Sequence, residues 1–333
     1  MSYVLSNNRG MSITVLNYGA TLARIEVPDR QGNAADVLLG HEKLKNFIGG
    51  RFYLGGTIGR YANRIKAGRF KLDGKEYQVT VNSKGNMLHG GTVGFDKKFW
   101  EASIDEAKNA VEFSLISPDG EEGFPGTMEI KAAYELSDDN EVRIRYRATT
   151  DKTTVVNLTN HAYFNLTGNP AGSILDHILM INAEKFTPTD GASIPTGEIE
   201  NVAGTPMDFT TPAKIGARID DDDIQLRQSK GYDHNYVLND FNGSVRTAAT
   251  VYDPSCGRLM EVLTDQPGVQ FYSGNNLDGA MQGKKGIYYQ PRAGLCLECQ
   301  HFPNSPNEKK FPSAVLEPAS VYTQNTVYKF SVK

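Results

Sequence analysis

The sequence has few cysteines, a single tryptophan and no long apolar run. Three cysteines in 333 residues cannot form a disulfide framework. No window approaches the ~18 consecutive apolar residues of a membrane span. Residues 1–10 are polar and lack the apolar segment of a secretory signal, although a chain whose signal had been removed would look the same. These absences predict a reduced, cytoplasmic protein with no membrane partner.

The sequence also lacks an excess of charge of one sign. Its 35 Lys and Arg residues face 39 Asp and Glu residues, which gives a formal net charge of −4. Proteins that bind nucleic acids usually carry a basic surface that neutralises phosphates. A nucleic-acid partner is therefore not expected.

Helical periodicity is scarce, and the dominant hydrophobic period is two residues. Residues 141–148 alternate apolar side chains with arginine, which is typical of a half-buried antiparallel strand. Residues 70–79 predict a hairpin around an Asp-Gly turn. Only residues 42–47 favour a short helix. Because strand-like segments run from end to end without a linker, the sequence predicts a single all-β domain over residues 1–333.

Two short motifs have the composition of a metal-binding or redox site, but their geometry does not fit such a site. Four consecutive aspartates at residues 220–223 lack the spacing of a calcium loop, and we expect a solvated loop there. Cys296 and Cys299 have the spacing of a redox pair, but positions i and i+3 of a strand point to opposite faces. No metal and no cofactor are therefore expected.

Three histidine segments are harder to dismiss. His89 lies in a glycine-rich turn, His161 follows an apolar strand, and His234 stands beside Asp233 at the end of a polar loop. Taken singly, each histidine is more often a structural residue than a catalyst. The residues alone leave both readings open.

One carboxylate stands out, because Glu298 lies within a mostly apolar segment at residues 294–302. Strand alternation places Cys296, Glu298 and Gln300 on one face. Burial there would raise the pKa of Glu298 and its basicity. The alternative is a buried salt bridge, for example with Arg64, and composition does not decide between the two.

Taken together, these segments resemble the aldose 1-epimerases, or galactose mutarotases. The likeness covers nearly the whole chain, and the motifs follow the family's order. The matching stretches are Gly59-Arg60-Tyr61-Ala62-Asn63-Arg64-Ile65, Leu88-His89-Gly90-Gly91, Gly94-Phe95-Asp96, Asn157-Leu158-Thr159-Asn160-His161, Tyr163-Phe164-Asn165-Leu166, Asp233-His234-Asn235, Gly268-Val269-Gln270-Phe271-Tyr272 and Leu297-Glu298-Cys299-Gln300-His301-Phe302-Pro303.

The resemblance implies a fold and a set of site residues. The fold is a large antiparallel β-sandwich, the galactose mutarotase-like supersandwich, with an open sugar-binding cleft. Glu298 would be the general base and His161 the general acid, with His89 assisting at the ring oxygen. The residues that would orient sugar hydroxyls are Asn63, Arg64, Asp233 and Gln270.

Because the acid and the base would exchange roles between ring opening and ring closing, the reaction leads to a hypothesis about protonation, and the residue types suggest contacts with the sugar. Asp233 would keep His161 protonated, and the pKa values of His161 and Glu298 would both lie near neutrality. Four aromatic residues are candidates for packing on a sugar ring, although core packing is favoured for each alone: Trp100, Tyr163, Phe271 and Tyr272.

The sequence departs from the family pattern at three places. Cys299 stands where threonine is common, Asn304 stands where aspartate is frequent, and Pro318-Ala319-Ser320 replaces a Pro-Gly turn. Alternation along the strand should direct Cys299 away from Glu298. We expect none of these departures to abolish catalysis.

The expected activity is interconversion of the α and β anomers of free aldohexoses, such as D-galactose and D-glucose. One alternative is a hexose-phosphate epimerase, which would need cations at the cleft rim such as Lys66, Arg69, Lys97 or Lys98. A glycosidase would need a second catalytic carboxylate. A non-catalytic sugar-binding domain is the remaining alternative. The substrate is expected to be a monosaccharide; the preferred aldose and the choice between monomer and homodimer stay open.

Overall fold

The computed structural model describes residues 1–333, which form 26 strands, one α-helix and eight short 3₁₀ helices. The prediction of an all-β fold is confirmed. The strands are β1 Ser2–Ser6, β2 Ser12–Leu16, β3 Thr21–Pro28, β4 Ala34–Asp36, β5 Thr57–Ile58, β6 Arg64–Ile65, β7 Arg69–Leu72, β8 Lys75–Gln78, β9 Met87–Leu88, β10 Glu101–Asp105, β11 Ala110–Ser117, β12 Met128–Leu136, β13 Glu141–Thr150, β14 Thr154–Val155, β15 Thr159–Asn160, β16 Ile178–Ile181, β17 Lys185–Thr187, β18 Glu200–Asn201, β19 Ala213–Lys214, β20 Asp233–Val237, β21 Arg246–Tyr252, β22 Arg258–Thr264, β23 Gly268–Tyr272, β24 Cys296–Gln300, β25 Val315–Leu316 and β26 Tyr322–Val332.

The helical elements are all short. The α-helix, α1, spans Ile224–Ser229. None of the helices has both the length and the apolar composition that a membrane crossing requires. The 3₁₀ helices are Leu44–Phe47, Lys66–Gly68, Phe95–Lys97, Glu106–Lys108, Glu121–Gly123, Ile215–Ala217, Lys284–Gly286 and Ser305–Asn307.

Three sheets account for most of the strands. The largest has nine strands in the order β10-β11-β12-β13-β26-β22-β21-β16-β19, and a second has five in the order β18-β17-β20-β23-β24. The third is the meander β1-β2-β3-β4, and four two-stranded pairs complete the fold: β14-β25, β15-β5, β6-β9 and β7-β8. The strand pairings within these sheets are antiparallel.

The alternation predicted for residues 141–148 is present in β13. Its apolar side chains are buried on one face, while the arginines lie on the other, partly or fully exposed. On that outer face Glu135 of β12 accepts hydrogen bonds from Arg143 at 2.8 Å and from Arg145 at 2.7 Å. The period-two pattern therefore separates a core face from a solvated, charge-paired face.

The main core lies between the nine-stranded and five-stranded sheets. Val262 and Tyr328 of the larger sheet belong to the same buried cluster as Val269 and Leu297 of the smaller one. Because one cluster draws side chains from both sheets, the sheets pack face to face. The predicted sandwich is confirmed.

One local prediction differs from the structure, because the helix expected at residues 42–47 is only the 3₁₀ turn Leu44–Phe47. The aspartate run at residues 220–223 is a largely exposed loop, as predicted. Its last residue caps α1, a helix that was not predicted: the Asp223 carboxylate accepts a hydrogen bond from the Gln225 N–H at 2.8 Å. With six residues, α1 is too short to show an apolar period, and the capping aspartate is its only sequence signal.

Candidate active site

An open cavity of about 530 Å³ lies against β20, β23 and β24. Its walls contain six of the seven predicted site residues; Gln270 is the exception. A larger groove of about 1110 Å³, between residues 69–76 and 305–315, contains no buried acid or base. The cavity is lined by Phe52, Tyr53, Asn63, Arg64, His89, His161, Tyr163, Asp233, Tyr272, Asn276 and Glu298.

Glu298 lies in the middle of β24 and is buried, with 2% of its surface exposed. Its Oε2 atom has no hydrogen-bond partner within the protein. Burial raises the pKa of Glu298 well above its usual value, and the charge of Asp233 adds to this while Arg64 opposes it. The alternative of a Glu298–Arg64 salt bridge is wrong, because the guanidinium of Arg64 pairs with Asp233 instead, at 3.8 Å.

His161 faces Glu298 across a short gap. It directly follows β15, which pairs with β5, and its Nε2 lies 3.7 Å from Oε1 of Glu298. Its ring is stacked against Tyr53 on one hand and Tyr163 on the other, with centroid distances of 5.8 and 5.0 Å. Two buried groups that can exchange a proton with a substrate, His161 and Glu298, therefore lie close together.

Burial in this setting decides the charge of His161. Loss of hydration lowers the pKa of His161 to about 4, although a backbone contact and the charge of Asp233 act in the opposite direction. Asp233 acts in the expected direction, but burial outweighs it, so the expectation that Asp233 keeps this histidine protonated is wrong. Burial raises the pKa of Glu298, as expected, whereas the pKa of His161, about 4, lies below the expected range near neutrality.

His89 is held by Asn63 in a reciprocal backbone contact. The N–H of Asn63 donates to Nδ1 of His89 at 3.1 Å, and the N–H of His89 donates to the Asn63 carbonyl at 2.9 Å. Both residues flank the β6–β9 pair and adopt positive φ, 58° and 51°. Burial, together with nearby His161, lowers the pKa of His89, so it is neutral and carries its proton on Nε2.

By residue type, His89, His161 and Glu298 form a possible metal-binding group, because their ligand atoms lie within 4.8 Å of one another. A metal-binding histidine normally donates its other ring N–H to an acceptor. In His89 the other nitrogen, Nδ1, instead accepts an N–H. The arrangement therefore favours a hydrogen-bond donor facing the cavity over a metal ligand.

Gln270 stands behind the cavity wall. It lies directly opposite Glu298 in the β23–β24 register, and its Nε2 donates to Oδ1 of Asp233 at 2.7 Å. The other oxygen of Asp233 faces Arg64, whose Nη1 donates to the Asn63 side chain at 3.3 Å. Gln270 therefore supports Asp233 in this structure, and its predicted contact with substrate stays a prediction.

Of the four aromatic residues considered for packing on the sugar ring, two line the cavity and two lie in the core. Tyr163 and Tyr272 line the cavity, whereas Trp100 and Phe271 belong to the main core. Core packing is therefore correct for two of them.

Three cavity residues were missed from the sequence: Phe52, Tyr53 and Asn276. Phe52 and Tyr53 adopt positive φ just before the motif that begins at Gly59. The backbone N–H of Asn276 donates to the Tyr272 hydroxyl at 2.8 Å. Their only sequence signal is closeness to the matched motifs.

The three departures from the family pattern lie outside the cavity. Cys299 is in the main core, on the face of β24 opposite Glu298 as predicted. The Asn304 side chain accepts a hydrogen bond from the Lys66 N–H at 2.9 Å. Ala319 adopts a left-handed φ of 66°, where a glycine would be unstrained.

Comparisons with known proteins agree with this geometry. The family model described as aldose 1-epimerase matches residues 1–329. Galactose mutarotase from Bos taurus is 44% identical over 322 residues, which cover 97% of this chain and 92% of that protein. Aldose 1-epimerase from Escherichia coli K12 is 38% identical over 328 residues, covering 98% and 94%. The chain belongs to the aldose 1-epimerase family.

Solved structures show the same fold. An aldose epimerase homologue from C. elegans superposes with a TM-score of 0.89 at 32% identity, covering 100% of this chain and 99% of that one. Galactose 1-epimerase from Lactobacillus acidophilus superposes with a TM-score of 0.88 at 31% identity, covering 99% and 94%. The resemblance identified from the motifs is confirmed.

Proposed function

We propose that this protein is an aldose 1-epimerase that interconverts the α and β anomers of free aldohexoses such as D-galactose and D-glucose. The observation that carries the proposal is the buried contact of His161 with Glu298, 3.7 Å apart in a cavity open to a small molecule. The names of the relatives, galactose mutarotase and aldose 1-epimerase, support the same activity.

The chemistry needs one base and one acid. Glu298 takes the proton of the anomeric hydroxyl while His161 protonates the ring oxygen, and the C1–O5 bond breaks to give the open-chain aldehyde. Rotation about C1–C2 turns the other carbonyl face toward O5, and reclosure reverses both proton transfers. Each positioned group contributes roughly 10²–10⁴-fold.

The two opposite pKa shifts place the single proton of the pair on Glu298 at rest, which is the arrangement that ring closure uses, and ring opening uses the other arrangement, with Glu298 ionised and His161 protonated. Ring opening moves one proton onto Glu298 and one off His161, so the pair holds a single proton before and after the step. Between the lowered pKa of His161, about 4, and the raised pKa of Glu298, the pair holds one proton. Activity is therefore expected over a broad range of pH, bounded by the titration of the pair as a unit.

The remaining polar groups bind and orient the sugar. The Nε2–H of His89 donates toward the ring oxygen, beside the acid. Arg64 offers a rigid fork of donors, and Asp233 accepts from hydroxyl groups. Asn63 presents its side chain at the same wall, and Gln270 fixes the orientation of Asp233.

The hexose-phosphate alternative lacks free cations at the cavity. Arg64 is the only cation in its wall, and Asp233 faces it. Of the four rim candidates, Lys98 pairs with Glu121, and Arg69 lies 3.9 Å from Glu76. Lys97 does not line the cavity, but it forms no ion pair and its Nζ lies 5.7 Å from the centroid of the Tyr53 ring, beside the wall. Within the wall itself a phosphate group would meet no unpaired charge, and free sugars are the better fit.

Polarimetry tests the proposal directly. Freshly dissolved α-D-galactose, α-D-glucose and α-D-glucose 6-phosphate are followed with and without the protein. We expect faster approach to an unchanged final rotation for the free sugars, and a much smaller effect on the phosphate. No acceleration with either free sugar would contradict the proposal, and acceleration confined to the phosphate would favour the alternative.

A further inference from the structure

Cys296 shares one face of β24 with Glu298, two residues away, and it is fully buried. Its Sγ lies 3.5 Å from Nδ1 of His161, while the Glu298 carboxylate lies 3.7 Å from Nε2 of the same ring. Strand β24 therefore places a thiol beside Nδ1 of His161 and a carboxylate beside Nε2.

The Cys296 sulfur is the side-chain partner of Nδ1 of His161, and the backbone carbonyl of His161 itself is the other group that favours a proton on the ring. The faces of its ring are covered by Tyr53 and Tyr163. The side chain as a whole is 95% buried. The proton on Nδ1, when present, consequently has the Cys296 sulfur as its side-chain acceptor, beside the backbone carbonyl of His161.

The direction of this contact matters for the exchange reaction. To protonate the ring oxygen and later recover that proton, His161 must gain and lose a proton at Nε2. A neutral imidazole accepts at Nε2 only when its proton sits on Nδ1. A partner that accepts from Nδ1–H therefore selects the working tautomer, and a partner that donates to Nδ1 would block it.

We propose that Cys296 is a positioning residue of the epimerase reaction, whose sulfur accepts Nδ1–H of His161 and so keeps the transferable proton on Nε2, facing the substrate. The inference rests on the proposed function. A neutral sulfur is a weak acceptor, so it orients the ring without holding the imidazolium as a carboxylate would. His161 can then release its proton readily to the ring oxygen.

The chain supplies a matched control at Cys299. This second thiol lies in the same strand and is equally buried, with 1% of its surface exposed, but it packs into the main core. Cys299→Ala removes the same atoms from the opposite face. Its effects on stability can be compared with those of Cys296→Ala without a change in the surroundings of His161.

The test measures kcat, KM and the pH dependence of kcat/KM by polarimetry with α-D-galactose, together with the thermal midpoint. For Cys296→Ala we expect kcat to fall about tenfold with KM unchanged. For Cys296→Ser we expect most of kcat to return and the acidic limb to move to higher pH, because a hydroxyl oxygen accepts more strongly and stabilises the imidazolium. Cys299→Ala should alter only the thermal midpoint.

The outcomes separate this inference from the proposed function. A wild-type protein without activity would overturn the proposed function and the inference with it. An active wild type with Cys296→Ala matching Cys299→Ala in kcat and acidic limb would overturn the inference alone. If Cys296→Ala does not fold, Cys296→Ser decides: an acidic limb identical to that of the wild type would contradict a hydrogen bond to Nδ1.

Discussion

Asp233 acts at the residue scale through its charge as well as its hydrogen bonds. The same carboxylate raises the pKa of Glu298 and opposes the lowering of the pKa of His161. It also faces Arg64 and accepts from Gln270. One side chain therefore biases both proton-transfer groups and helps to form the binding wall.

Asp233→Asn is expected to move both limbs of the pH–rate profile to lower pH. Removing the negative charge lowers the pKa of Glu298, and it lowers that of His161 further. KM should rise about tenfold, because a hydrogen bond to a charged group is worth roughly 1.5–3 kcal/mol. Polarimetry across the pH range measures both effects, and Asp221→Asn, at an exposed position, is the control. An alkaline limb that moves upward would contradict this role.

At the residue scale, the burial of Glu298 could be predicted from the sequence, but the pKa of His161 could not. Strand alternation was enough to predict a buried Glu298, because burial of a strand position follows from its immediate neighbours. The lowered pKa of His161 could not be predicted. It arises from burial of the ring. Tyr163 lies only two residues away, but Tyr53 stacks on the ring from a distant segment, and no local pattern indicates that contact.

At the scale of elements, the turn before β26 is strained. The sequence indicates this strain, because Ala319 stands where the family pattern has glycine. Ala319 adopts a φ of 66°, a left-handed conformation that costs a side-chain-bearing residue about 1–2 kcal/mol. Ala319→Gly should therefore stabilise the fold by roughly 0.5–1 kcal/mol, after the greater chain entropy of glycine is subtracted. Urea denaturation measures the change in the free energy of unfolding.

The control for this turn is the same substitution elsewhere. Ala34 lies exposed in β4 and is not among the residues with positive φ. Ala34→Gly should destabilise the protein, because only the entropy cost remains. Destabilisation by both substitutions would show that the turn at Ala319 is not strained.

A strand or a turn could be predicted from the sequence where its own residues carry the signal for it. The alternation in β13 and the Asp-Gly turn between β7 and β8 are local signals, and both are present in the structure. The sheet order was not predictable. β13 pairs with β26, across a large separation in sequence, and such partners are selected by packing of the whole sandwich rather than by either strand alone.

At the scale of the whole molecule, buried histidines make the fold sensitive to acid. Burial lowers the pKa of four of them to about 4: His161, His177, His234 and His301. An exposed histidine in the unfolded chain titrates near 6.5. The unfolded chain therefore binds more protons between these values, and each histidine lowers the free energy of unfolding by at most about 1.4 kcal/mol per pH unit as the pH falls.

Two buried carboxyl groups oppose this trend. Burial raises the pKa of Glu298, and it raises that of Asp96 to about 6, so these groups bind protons more readily in the folded state. Burial lowers the pKa of His41 and His89 as well. With six histidines against two carboxyl groups, we expect the urea midpoint to fall between pH 6.5 and 4.5. His177→Gln removes one of these titrating groups and should make the fall in the midpoint shallower. His177 is chosen because its side chain lies outside the cavity. A midpoint that rises on acidification would contradict the prediction.

Other features of the whole molecule stay predictions. We propose that residues 1–333 form a single folding unit, because one buried cluster extends from Leu5 to Phe330. The cytoplasmic location stays a prediction from the few cysteines and the polar residues 1–10.

The most direct test of the central claim is anomer exchange at equilibrium. Magnetisation transfer between the α and β anomeric protons of D-galactose is measured by NMR with the wild type and with Glu298→Gln, which keeps the shape of the side chain and removes its basicity. We predict exchange with the wild type and a loss of at least about 10²-fold with the variant. Equal exchange with both proteins would contradict the assignment of Glu298 as the base.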